Sequence, residues 1–223
     1  MKKLYSYCIP VDDGAAPNPF WGICTLVICK PVIRRNAQKG DWIVATGSMQ
    51  HGFENKVVYA MEVTDKLTLK DYDNFCKTKL PQKIPNWLGK SYKDRVGDCI
   101  YDYSTEIPII RDSVHKEVNR ARDLGGQFAL LSDNFYYFGN KPIQLPDHLL
   151  AIVRQGQGHK STSNAPYFEL FLDWISNFPE LRNRVYGEPY LKDLFTLDSD
   201  YESKCSTRHK QQDDVDEQLG DEE

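Results

Sequence analysis

The sequence lacks long apolar runs. Its longest, Phe20–Ile28, falls well short of the ~18–20 residues that a membrane helix needs. It also lacks a basic excess, since 28 Lys and Arg face 32 Asp and Glu for a formal charge of −4. Read as an average, that balance counts against a nucleic-acid binder. Six cysteines are present, but none forms a CxxC pair or a Cys–His cluster at zinc spacing. A structural zinc or a disulfide framework is therefore not expected, and buried thiols in a reducing compartment are. The common catalytic signatures are missing too: no GxSxG, no HExxH and no dinucleotide fingerprint. No cofactor or metal is implied. Met1-Lys2-Lys3 starts as a signal peptide would, but Asp12 and Asp13 close off an apolar segment. The expectation is a cytoplasmic protein without a membrane partner.

The charge is unevenly placed. Residues 198–223 hold ten acids against three bases, a local −7, so the residues before them carry +3. This stretch has no hydrophobic period and few aliphatic residues, which predicts a disordered acidic tail. The division expected is one domain over residues 1–197 and the tail over 198–223. Such a tail can compete with phosphates for a basic surface, or recruit a protein partner.

The first half reads as β-rich. Strands are expected at Leu4–Ile9, Trp42–Thr46 and Val57–Val63, with Gly22–Cys29 a buried strand or a short core helix. Asp12–Pro19 is dense in turn formers. Pro31 suits the first helical position and can open one turn through Asn36. Thr68 followed by Asp71 has the form of a helix cap, with a helix to about Thr78. Residues 79–104 read as loop with a short strand near Asp98–Tyr103. Gln127–Ser132 and Phe135–Gly139 are further β segments, split by the turn pair Asp133-Asn134. Pro146–Val153 begins with a helix signal. Ala165–Phe178 is amphipathic, with Phe168, Phe171, Leu172, Ile175 and Phe178 at three- and four-residue steps. The fold class predicted is α+β: a small, curved, mostly antiparallel sheet or barrel with peripheral helices.

Residues able to carry chemistry are scattered. Arg154-Gln-Gly-Gln-Gly-His-Lys-Ser161 superficially resembles a phosphate loop, but His159 interrupts the required Gly-Lys step, which excludes nucleotide hydrolysis by that motif. Gly156 and Gly158 still leave backbone amides open, with Arg154, His159 and Lys160 beside them, as a phosphate-contacting turn requires. Lys30, Arg34, Arg35 and Lys39 follow Phe20-Trp21, and a lysine-rich stretch flanks Trp87 and Tyr92. Cations among rings suit phosphate neutralisation and base stacking. Against this stands the plainer reading of an aromatic core under a solvated basic face. Acid–base candidates are Asp12, Asp98, His115 and His159, each isolated in sequence. Asp98 follows a glycine, as turn residues do, and His115 in its mixed-charge stretch reads as a surface helix residue.

Taken in order, DDGAAPNPFWGICTLVICKPVIRR, GDWIVATGS, VVYAMEVTDKL, GDCIYDY, LLSDNFYYFG and RQGQGHKS resemble the family called nucleotide modification associated domain, type two. The resemblance spans about Leu4 to Trp174. Residues that match its motifs are Tyr5, Tyr7, Asn18, Pro19, Phe20, Arg34, Arg35, Thr46, Gly47, Ser48, Asp98, Tyr101, Ser132, Phe135, Tyr137, Gly139, Gly156, Gly158 and His159. Cys99 stands where the pattern leads one to expect Asn. The Gly40-Asp41-Trp42 step and Glu62-Val63 are also similar to PUA-like folds, including EVE and ASCH domains. Together these imply a curved sheet with a cleft for a nucleobase, in a bacterial or phage system that modifies DNA bases.

The function this implies is binding or processing of modified nucleotides, with nucleic acid or a modified nucleotide as partner. The ring of Tyr5, Trp21, Tyr101 or Tyr137 would stack on the base, Phe20 would belong to the same base-binding site, and Asn18, Thr46 and Ser48 would read the base edge. Arg34, Arg35, Arg154, Gly156, Gly158, His159 and Lys160 would hold phosphates. The alternatives are an enzyme with Asp98 or His159 as acid or base, and an adaptor acting through the tail.

Overall fold

Two faces of one sheet, both covered, organise the molecule. The computed structural model describes residues 1–190, so the tail lies outside the described residues. The strands are β1 (Leu4–Ile9), β2 (Cys24–Leu26), β3 (Trp42–Gly47), β4 (Lys56–Glu62), β5 (Asp65–Thr68), β6 (Tyr101–Asp102), β7 (Ile109–Ile110), β8 (Phe128–Ser132), β9 (Phe135–Tyr137) and β10 (Ile143–Gln144). The helices are α1 (Pro31–Asn36), α2 (Leu69–Lys79), α3 (Tyr92–Arg95), α4 (Arg120–Gly125) and α5 (Phe168–Ile175). Short 3-10 turns join several of them.

The main sheet runs β1-β3-β4, with β9 and β10 both pairing β4. β1 and β3 are parallel, Leu4 opposite Trp42 and Ile9 opposite Gly47, whereas β3 and β4 are antiparallel with a bulge at Ala45/Thr46. Every residue of β3 is buried. Alternation sends Ile43 and Ala45 to one core with Tyr5, Tyr7, Tyr59 and Tyr137. Trp42 and Val44 go to a second core with Leu4, Tyr136 and the α5 residues Phe168, Phe171 and Ile175. Burial on both faces explains why these strands read as continuous apolar runs.

A second sheet, β2-β8-β5, and the small β6-β7 pair complete the fold. The class is α+β, with several small and mostly antiparallel sheets that do not close into a barrel. Asp133-Asn134 does not close a hairpin. It passes the chain from β8 in the second sheet to β9 in the first. The Gly22–Cys29 run is strand only over Cys24–Leu26; the chain then turns sharply into α1. Thr68 caps α2 through the Asp71 amide. The C-terminal amphipathic segment divides into a 3-10 turn over Thr162–Tyr167 and then α5. No helix of the described residues is long and apolar enough to cross a membrane.

One core carboxyl makes folding pH-dependent. Asp12 is buried and accepts from the Tyr137 hydroxyl at 2.8 and 2.7 Å. Burial pushes this carboxyl up to about 7, with the Tyr137 bond opposing and neighbouring Asp13 adding to the rise. The folded state therefore keeps a proton that an unfolded Asp releases near pH ~3.9. Stability at this residue is lost as pH rises from about 4 to about 7 and is level above that. The Asp12→Asn variant removes the effect. Urea midpoints are expected to show wild type losing ground to the variant across that window, and a pH-independent difference would refute the assignment.

Candidate functional site

A cleft of about 320 Å³ opens where the end of β1 meets three loops. Tyr7, Ile9 and Val11 form part of its apolar wall, and Gly47 at the end of β3 with Ser48–Gln50 after it forms another. The turn 153–158 closes a third side, and Cys29, Lys30 and Arg122 of α4 a fourth. Its charged lining residues are three cations, Lys30, Arg122 and Arg154, and one carboxylate, Glu54. Gln50, Asn55, Gln155 and Gln157 add side-chain amides. The Lys30 ammonium sits 4.7 Å from the Tyr7 ring centroid, so one wall combines a ring with a cation. Arg154 Nε donates to Gln157 O at 2.7 Å and so shapes the glycine turn.

Cys29 stands between β2 and α1 with φ of 58°, and Lys30 follows with φ of 41°. Left-handed backbone at two successive non-glycine residues is costly. Behind Cys29, His115 Nε2 lies 3.7 Å from Sγ. His115 Nδ1 lies 2.6 Å from Asp123 Oδ2. Asp123 Oδ1 accepts the Cys29 amide at 3.1 Å, and Tyr101 OH donates to Oδ2 at 3.1 Å. Burial alone would keep the His115 ring neutral, but Asp123 and the Cys29 thiol together raise it well above the ordinary imidazole value. Burial works against the Asp123 charge too, and the His115 and Arg34 cations overcome it, holding the carboxyl below its usual range.

Of the residues expected from sequence, Ser48, Arg154, Gly156 and Gly158 line this cleft. Others have different surroundings. Arg34 is fully buried and donates to the carbonyls of Phe128, Cys29 and Asp123 at 2.9, 3.1 and 2.8 Å. Arg35 donates to Gly125 O. Lys160 Nζ donates to Ala151 O, while its backbone pairs with Ser6. His159 is buried with its ring 5.8 Å from that of Tyr5. Tyr5 and Tyr137 belong to the first core and Phe20 to a separate apolar cluster with Tyr101. Trp21 is exposed, away from the cleft lining. Thr46 is buried, and its hydroxyl has no hydrogen-bond partner among the described residues.

Asn18 and Asp98 meet in an interior polar network. Lys83 Nζ lies 2.7–2.8 Å from four acceptors, Asn18 O, Asn18 Oδ1, Ile23 O and Thr25 Oγ1, which share its three N–H donors. Thr25 Oγ1 donates to Asp98 Oδ2 at 2.5 Å, and Tyr72 OH to Oδ1 at 2.7 Å. Burial raises the Asp98 carboxyl, with Lys83 the main opposing influence.

Two expectations are corrected. His115 is not a surface helix residue; it is buried, outside any helix, against Asp123. Cys29 is not a fully buried thiol, because it is only half-buried and lines the cleft. A short apolar run ending in Cys29-Lys30-Pro31 was a local sign of a strand-to-helix turn. Nothing in the sequence marked His115 and Asp123 as its neighbours.

The fold and site together define a mixed α+β protein with a cationic, amide-lined cleft of small-molecule size. The chain belongs to the family described as nucleotide modification associated domain 2, whose model matches residues 1–195. Comparisons with curated proteins and with solved structures gave no match. The family places the protein with nucleotide-modification systems.

Proposed function

We propose that the cleft binds a nucleotide, or a nucleotide carrying a modified base. The observation that carries this reading is the cleft's composition: three cations against one carboxylate, above an apolar wall that includes Tyr7. Cations suit the phosphate, the aliphatic side chains of the wall suit the base plane, and Gln50, Asn55, Gln155 and Gln157 suit base-edge donors and acceptors. Ser48, Arg154, Gly156 and Gly158 belong to this reading.

The test is calorimetric titration with mononucleotides and short oligonucleotides bearing modified and unmodified bases, at low and moderate salt. Affinity is expected to fall as salt rises. Arg154→Ala is expected to weaken binding by about tenfold, the loss of one charge-assisted contact. Absence of binding, or affinity indifferent to both salt and Arg154, would refute the proposal.

A further inference from the structure

The wall of the cleft holds a constellation that ligand binding does not need. Cys29 Sγ, the His115 ring and the Asp123 carboxylate stand in line, at 3.7 and 2.6 Å. The same carboxylate fixes the Cys29 backbone through its amide. The left-handed turn between strand and helix brings the thiol to the cleft, and strain of that kind collects at functional positions. A thiol, an imidazole and an orienting carboxylate in this order form the general arrangement for covalent acyl chemistry.

We propose that Cys29 is a catalytic nucleophile, with His115 as its acid–base partner and Asp123 as a positioning residue, and that it cleaves an amide or ester linkage carried by a nucleotide. The nucleotide part rests on the cleft reading above; the thiol chemistry does not. The Cys29 thiolate attacks the carbonyl carbon and forms the C–S bond. Collapse of the adduct breaks the C–N or C–O bond, and the leaving nitrogen or oxygen takes the proton from the His115 imidazolium. Water then attacks the thioester and gives a proton to His115, the C–S bond breaks, and the thiolate–imidazolium pair returns. One water is consumed and nothing is oxidised or reduced.

The charged and titratable groups facing this pair are Asp123, Arg34, Lys30, Arg122, Tyr7 and Tyr101. Cys8 lines the same cleft and is half-buried, so it serves as an internal reference.

The experiment uses the full chain. Iodoacetamide labelling of Cys29 and Cys8 is followed by peptide mass spectrometry from pH 5 to 9, and p-nitrophenyl acetate is used as the acyl probe. At pH 6 an ordinary thiol is almost wholly protonated, so Cys29 is expected to alkylate at least about tenfold faster than Cys8. It is also expected to carry the acetyl group. His115→Gln should abolish both, and Asp123→Asn should move the labelling profile to higher pH. An N-acetylated cytidine monophosphate should be deacetylated by wild type and not by Cys29→Ser. Cys29 labelling no faster than Cys8 in wild type would overturn the proposal, whether or not the variants fold. So would a folded His115→Gln protein labelled at the wild-type rate. Nucleotide affinity of wild type is measured separately: if it is absent while Cys29 is labelled faster than Cys8, the cleft reading fails and the thiol assignment stands.

Discussion

The Lys83→Met variant is expected to be destabilised by about 3–5 kcal/mol, the usual consequence of removing one partner from a buried charged network. Lys83 is fully buried and its ammonium meets four acceptors. Methionine fills much of the volume but donates nothing, so Ile23 O loses its donor and Thr25 loses the cation beside it. The larger effect falls on Asp98. Its carboxyl is buried, burial already raises it, and Lys83 is the principal influence holding it down. Without that cation, Asp98 is either an isolated buried charge or a protonated acid with a different hydrogen-bond pattern, and both cost stability. For a chain of this length the loss corresponds to a fall in Tm of about 6–20 °C. The Lys83→Met, Asp98→Asn double variant should recover part of it, because the uncompensated charge is gone. Thermal scans of the two variants decide the matter. A single variant within about 1 kcal/mol of wild type, or a double variant no better than the single, would show that the network is not coupled in this way.

Arg34→Lys is expected to be almost as damaging as Arg34→Met, at about 3 kcal/mol or more, since buried carbonyls left without donors cost ~1–3 kcal/mol each. The Arg34 guanidinium reaches three carbonyls in three directions. A lysine at that position has a single nitrogen and cannot span them. Burial pushes the guanidinium down to about 10, with Asp123 the first of the groups opposing that fall. It is therefore still a cation at neutral pH. Gly126 makes room for it, because a Cβ there would lie 2.3 Å from Arg34 Cζ. Gly126→Ala is accordingly expected to reproduce much of the Arg34 loss. Urea denaturation measures all three variants. Since Arg34 holds both the Cys29 and the Asp123 carbonyls, iodoacetamide labelling of Cys29 should also slow in any variant that still folds. A lysine variant as stable as wild type would refute the three-point brace.

Much of the fold was legible locally. Strand β1 and helix α1 fall where the apolar run and Pro31 placed them, and α2 begins at the Thr68 cap. Those features depend on neighbours in sequence. Pairing did not yield to the same reasoning. β8 and β9 are separated by a turn pair yet enter different sheets, because the decisive contacts are with β2 and β5 on one side and β4 on the other.

The cleft was legible only in part. The glycine turn at 156–158 announced an accessible backbone, and it lines the cavity. Arg34 and Lys83 had the same signature in sequence as surface cations near aromatics. Composition around a residue does not reveal whether carbonyls converge on it, so burial of these two charges could not be foreseen. His115 lies in a run rich in charge, which suggests solvent, yet its ring is packed between Cys29 and Asp123.

The sequence by itself determined the positions of β1, β3, β4, α1 and α2, the uneven distribution of charge and membership of a nucleotide-modification family, because periodicity, capping and motif order are carried by residues close together in the chain. Only the tertiary structure decided which charges are interior and which thiol faces a cleft. It also brought Cys29 to His115 and Asp123, separated by 86 and 94 positions in sequence. The physical reason is that hydrogen bonding and desolvation depend on distance in space, and sheet pairing sets that distance.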